Sequence, residues 1–125
     1  MAQINKPNLH FNGKLFTGTG SSNAVTGVGF NPDLVWIKDR GNTYSHTLTD
    51  KVRGASKELY SNGTAAEVSY SQGVTSFDSD GFTVVSHAMY NGSSNTYASW
   101  NWLGANGTAS NSDGSITSTV SADRS

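Results

Sequence analysis

Phe30-Asn31-Pro32-Asp33-Leu34-Val35-Trp36-Ile37-Lys38-Asp39-Arg40 is the densest apolar stretch of the chain, and both of its ends are punctuated. Pro32 cannot donate to a ladder and holds Asn31 in extended or turn conformations, so pairing is expected to begin near Asp33; the charged Asp39-Arg40-Gly41 closes the run. Leu34, Trp36 and the Lys38 stem share one face of such a strand, and Val35 and Ile37 share the other. Apolar residues on both faces predict a central strand within stacked layers. On this reading Trp36 is core. Burying it fully removes roughly 200 Å² from water, about 5 kcal/mol at about 25 cal/mol per Å², so Trp36→Ala is expected to unfold the domain.

The rest of the composition agrees with a strand-built domain. The 125 residues suffice for one domain, and an apolar share of 34% suits a thin sandwich. Lys and Arg number 8 against 9 Asp and Glu, which leaves no basic surplus for nucleic acid or an anionic membrane surface. No apolar run approaches the roughly 20 residues of a bilayer span, and Met1 to Asn12 lacks the layout of a signal peptide, so synthesis in a cytoplasm without membrane insertion is expected. The absence of cysteine excludes a disulfide scaffold, a thiolate metal site and a cysteine nucleophile. Thr, Val and aromatic residues between Asn-Gly and Asp-Gly turns point to an all-β fold.

Taken in order, residues 1–8 have no periodicity and read as an extended N-terminal arm. Leu9 to Thr17 reads as a strand with a bulge, or a very tight hairpin, at Asn12-Gly13. Ala24 to Phe30 reads as a strand feeding the Trp36 strand, and Tyr44 to Asp50 alternates as a strand beside it. Lys51 to Tyr60 is the one plausible helix, with a short strand or a single turn as equal readings. Phe77 and Phe82-Val84 around Asp78-Ser79-Asp80-Gly81 form a hairpin signal. Thr96 to Leu103 is the last strong strand, with Ala98, Trp100 and Trp102 on one face and Tyr97, Ser99 and Asn101 on the other. Residues 105–125 turn to Ala, Asn, Gly, Ser and Thr, a polar linker or docking tail in which Ile116 to Val120 is a further candidate strand. The expectation is an antiparallel β-sandwich of about eight strands over residues 9–104.

Candidate chemistry is sparse. Asp78 and Asp80 have the opening spacing of a calcium loop, but the bidentate acid expected further on is replaced by strand, so a hairpin turn is preferred and no cofactor is expected. His10, His46 and His87 have no metal-ligand spacing. Glu58 and Glu67 lie in polar, turn-rich sequence with nothing to set one pKa apart, and no nucleophile elbow is present, so no enzyme activity is expected. Arg40 ends the Trp36 strand, and Arg53 lies beside Asp50; each reads first as a structural ion pair and second as a fork for a sugar carboxylate or a neighbouring subunit. Trp100 and Trp102 read as core, although aromatic planes backed by Asn and Ser also suit carbohydrate. Ligand contacts are therefore sought on exposed loops, at Asn42-Thr43-Tyr44 and at Tyr90-Asn91-Gly92-Ser93.

Five strings occur in sequence: Gly18-Thr19-Gly20; Val25-Thr26-Gly27-Val28-Gly29-Phe30 running on to Lys38; Asp50-Lys51-Val52-Arg53-Gly54; Thr75 to Phe82; and Asn95-Thr96-Tyr97-Ala98-Ser99-Trp100-Asn101-Trp102. Together they resemble a module of tail-fibre and other virion structural proteins of tailed phages, especially marine and cyanobacterial ones, over residues 9–104. The resemblance implies a lectin-like, jelly-roll type of sandwich, without catalytic residues, used for assembly and host adhesion in a tail fibre or its attachment to the tail. It also implies a virion location after synthesis in the host cytoplasm. Expected partners are other virion proteins, further copies of the chain in a homo-oligomer, with a trimer favoured, and host-surface polysaccharide. A capsid decoration protein and a free carbohydrate-binding module using calcium are the alternatives. A second module after the Gly107 to Val120 stretch would also fit the pattern.

Overall fold

In the computed structural model, which describes residues 7–104 and 109–120, strand formation follows the β-branched and aromatic runs. A 3-10 turn at Pro7–Leu9 leads into β1 (Phe11–Thr17) and β2 (Asn23–Val25). The expected central strand follows as β3 (Leu34–Asp39), then β4 (Thr47–Asp50), β5 (Lys57–Tyr60) and β6 (Val68–Ser69). The chain continues through β7 (Val74–Asp78), β8 (Gly81–Val84), a one-turn helix α1 (Ala88–Asn91) and β9 (Thr96–Trp102), ending in β10 (Ala109–Asn111) and β11 (Ser118–Val120). Every pairing is antiparallel.

Two sheets make the sandwich. One has the order β1-β9-β3-β4-β5-β6 and the other β2-β8-β7, so the expected all-β antiparallel sandwich is present, with nine strands in its two sheets. Val35 and Ile37 on β3 and Tyr97 on β9 pack with Val25, Phe82, Val84 and Val74 of the opposite sheet in one core. Phe16 reaches across the gap to Phe82, edge-on at 6.0 Å, and stacks on Tyr97 at 5.1 Å. At about 1.5–3 kcal/mol for each large apolar side chain fully buried, this layer supplies most of the driving force.

Local details differ from expectation for identifiable reasons. β1 is neither bulged nor a hairpin; it pairs residue for residue with β9, from Phe11↔Trp102 to Thr17↔Thr96. The strand expected over Ala24 to Phe30 stops at Val25, because Gly27 and Gly29 adopt φ of +80° and +94° and the chain curls around Asp80. Lys51 to Tyr60 resolves into a turn followed by β5, which agrees with the turn and strand readings and not with the helix. The Asp78 to Phe82 hairpin forms with Phe77 opposite Phe82 and Asp78 opposite Gly81. Most of the expected N-terminal arm, residues 1–6, lies outside the described residues, as do 105–108 and 121–125 of the expected linker. Within that linker β10 and β11 pair as a hairpin, Asn111 opposite Ser118.

The six-stranded sheet is turned over relative to the expectation. Its inward face carries Asp39, Thr47, Thr49, Glu58, Ser99 and Asn101, all nearly or fully buried, beside Val35, Ile37 and Tyr97. Its outward face carries the tryptophans. Trp36 is half-buried and Trp100 is 36% exposed, which corrects the reading of both Trp36 and the Trp100-Trp102 pair as core. The opposite sheet supplies Val25, Phe82 and Val84 against the short side chains of the other face, and no tryptophan belongs to that core.

Candidate functional site

Strand alternation places Phe11, Gly13 and Leu15 of β1, Trp100 and Trp102 of β9, Trp36 of β3, Leu48 of β4 and Leu59 of β5 on the outward face. The register brings them into rows: Phe11 beside Trp102 beside Leu34, and Gly13 beside Trp100 beside Trp36 beside Leu48 beside Leu59. Trp36 and Trp100 meet at 5.7 Å between ring centroids with planes 60° apart, and Phe11 and Trp102 at 5.1 Å and 49°. Trp36, Trp100 and Trp102 line an open groove of about 180 Å³. The Trp36 indole N–H donates to His46 Nδ1 at 3.0 Å, fixing one wall of the groove. Leu15, Phe11, Leu59 and Trp100, 63%, 41%, 39% and 36% exposed, make the patch continuous from β1 to β5. Contiguous apolar surface of this kind marks an interaction site more often than it occurs by chance on a monomer.

The residues proposed from sequence as ligand contacts are scattered. Arg40 is exposed at the end of β3, and its backbone N–H donates to Thr96. Arg53 fulfils the structural reading: its Nε donates to Asp50 Oδ2 at 2.6 Å, its backbone N–H to Asp50 Oδ1 at 2.9 Å, and its guanidinium also to Leu48 O at 2.9 Å. Tyr44 is an exposed ring edge-on to His87 at 6.3 Å.

Tyr90 and Asn91 are corrections, since neither lies on an exposed loop. Both are fully buried on α1, whose first turn is capped by His87 Nδ1 accepting from the Met89 N–H. Asn91 ties the β1–β2 connection, accepting from the Thr19 N–H at 2.8 Å and from the Asn23 amide at 3.1 Å, and donating to Thr19 Oγ1 and Ser21 O. The Tyr90 hydroxyl donates to Glu58 Oε2; burial, then this carboxylate, push the phenol far above its usual range. Glu58 was not singled out for this role by sequence. Its burial raises the carboxyl, the Tyr90 and Tyr60 hydroxyls oppose that, and Oε1 has no hydrogen-bond partner. A lone Glu between Lys57 and Leu59 gives no signal of such an environment.

Asp78 and Asp80 behave as turn residues. Asp78 accepts from the Ser76 and Thr83 hydroxyls at 2.8 and 2.7 Å. Asp80 accepts from the Gly27 and Gly29 amides at 2.9 and 2.7 Å, which hold it below the ordinary carboxylate range. Among the described residues no three His, Asp or Glu converge as metal ligands.

Fold and surface together define a small antiparallel β-sandwich whose distinctive feature is an aromatic outer sheet face. A family described as a domain of unknown function (DUF7483) matches residues 6–125, and the chain belongs to that family. No curated protein and no solved structure matches the chain.

Proposed function

We propose that the domain is a structural module of a tailed-phage virion, part of the tail fibre or of its attachment to the tail, working by assembly and adhesion without catalysis. The observation that carries the reading is the apolar face, exposed among the described residues, that runs from Leu15 and Phe11 through the tryptophans to Leu59. A surface of this chemistry serves contact, and it lies on a sheet whose register fixes side-chain positions. The ordered strings from Gly18 to Trp102 support the virion assignment by resemblance. The polar Gly, Ser and Thr tail suits attachment to a longer fibre, and copies of the chain are expected to form a trimer.

Immunogold electron microscopy of intact virions, with antibody against residues 9–104, tests this directly. Tail labelling is the expected result. Label spread over the capsid would make the domain a decoration protein, and virions without label would overturn the reading altogether. Light scattering of the purified chain, expected at three times the chain mass, tests the trimer separately.

A further inference from the structure

The chain has three tryptophans, and all three line the same groove. It is lined by indoles, rings whose negative quadrupole attracts C–H groups and cations to their faces. Gly13 stands opposite Trp100 on the edge strand, where an added Cβ would meet only Ser99 O at 3.8 Å. Room for a side chain exists there, and the glycine leaves the indole uncovered.

The polar groups around the groove are donors. His46 Nδ1 accepts from Trp36, so the imidazole carries its proton on Nε2, which has no partner among the described residues. The Trp100 and Trp102 indole N–H groups likewise make no hydrogen bond among the described residues. Lys38 lies on the same face, two residues or about 7 Å along β3 from Trp36. It spends two of its three N–H donors on Asp39 O and Asn42 O, both at 2.6 Å. The carboxylate of Asp50, also on this face, is taken up by Arg53. A ligand suited to this site offers an apolar ring face, oxygen acceptors and a negative charge.

The exposed parts of Leu15, Phe11, Leu59 and the indoles amount to roughly 400 Å² of apolar surface, close to the apolar share of the ~800 Å² per partner typical of an interface. The donors and the Lys38 charge, not area, therefore favour a sugar over a second copy of the chain.

We propose that the groove binds an acidic polysaccharide through one pyranose ring bearing a carboxylate. The C–H face of the ring lies on the indoles of Trp100 and Trp102, its oxygens accept from the indole and imidazole N–H groups, and its carboxylate faces Lys38. This deepens the adhesion reading and rests on it for biological meaning, but virion labelling and sugar binding succeed or fail independently.

Because every tryptophan is at the site, intrinsic emission reports on it alone. The test titrates the full chain with fragments of polygalacturonate, alginate and hyaluronan, and with neutral dextran and galactan fragments of matched length. The expected result is a saturable emission change with at least one uronate series, weakened by salt. Trp100→Ala, followed by calorimetry, should lower that affinity about tenfold while leaving the chain folded. Gly13→Leu, which fills the groove and leaves every indole in place, should do the same. Lys38→Gln should cost about threefold for the uronate and abolish the salt dependence. No response to any uronate, equal affinity for the neutral fragments, or full affinity in both groove variants would overturn the proposal. An emission shift driven by protein concentration alone would also overturn it, marking the face as a contact between copies.

Discussion

Trp36 and Ile37 are consecutive residues of β3 that lie on opposite sides of the same sheet, Ile37 1% exposed in the core and Trp36 turned outward against Trp100. The larger side chain is the less important to stability. Ile37→Ala should cost about 2–5 kcal/mol through loss of buried contact and a residual cavity. Trp36→Ala should cost only about 1–2 kcal/mol, from the ring contacts and the His46 bond, and leave the chain folded. Urea denaturation followed by circular dichroism gives the order; a Trp36 cost above that of Ile37 would mean the outer face is covered.

Glu58 gives stability a pH dependence of unusual sign for a carboxylate. Burial raises its pKa in the folded state, so the native protein keeps a proton that the unfolded chain has released. Its contribution is therefore fully present below the ordinary glutamate range and is lost as pH rises through the raised value. Glu58→Gln keeps an acceptor for Tyr90 and cannot ionise. The variant should be more stable than the parent at about pH 8, with the difference shrinking towards about pH 4. Urea midpoints at the two pH values decide it, and an unchanged difference would place no proton on Glu58.

Asp39 has the opposite slope. Burial alone would raise its pKa, but the Asn42 side chain, the Gly41 and Asn42 amides and the Asn95 side chain together hold it low. Its stabilisation is present above the ordinary aspartate range and disappears as pH falls through the depressed value. Asp39→Asn should cost about 2–3 kcal/mol at neutral pH, and the gap between parent and variant should narrow on acidification. The same urea experiment, extended to lower pH, measures it.

Gly81 closes the β7–β8 turn with φ at +150°, and a Cβ there would lie 1.9 Å from Val25 O. Gly81→Ala should cost about 3 kcal/mol or more, because backbone conformation and steric overlap both oppose it. Gly63→Ala, with nothing within 4 Å of the added atom, should stay within about 0.5 kcal/mol of the parent. Melting temperatures of the two variants, compared side by side, check the contrast.

Strand positions were legible because their signals are local. Pro32 and Arg40 bracket β3, and Asp80-Gly81 sets the β7–β8 turn. Which face of a strand is buried is a different matter. Alternation puts Trp100 with Trp102 and Ser99 with Asn101, but both sets are internally consistent, and burial depends on where the second sheet lies. The inward Asn101 side-chain NH2 donates to Asn12 O, 89 positions away, and to Ser99 Oγ. No pattern within a strand reveals such a partner. The same holds for Tyr90-Asn91: next to Gly92-Ser93-Ser94 they read as loop, and only the contact with Thr19, Ser21 and Asn23 shows that Asn91 is internal. The groove was missed for the first of these reasons, although the tryptophans that build it were in view.

The position of β9 between β1 and β3 has a consequence for how the protein is made. The strand that joins β1 to the other four strands of the larger sheet is the last of the nine to leave the ribosome, so β1 and β3 wait with unpaired edges while it is synthesised. Closing chain segments of this length is entropically slow, which places folding in the millisecond-to-second regime of strand-rich domains. Until Trp102 is out, the nascent sheet offers two open edges to any neighbouring chain, and crowding of unfinished copies becomes the step at which yield is lost.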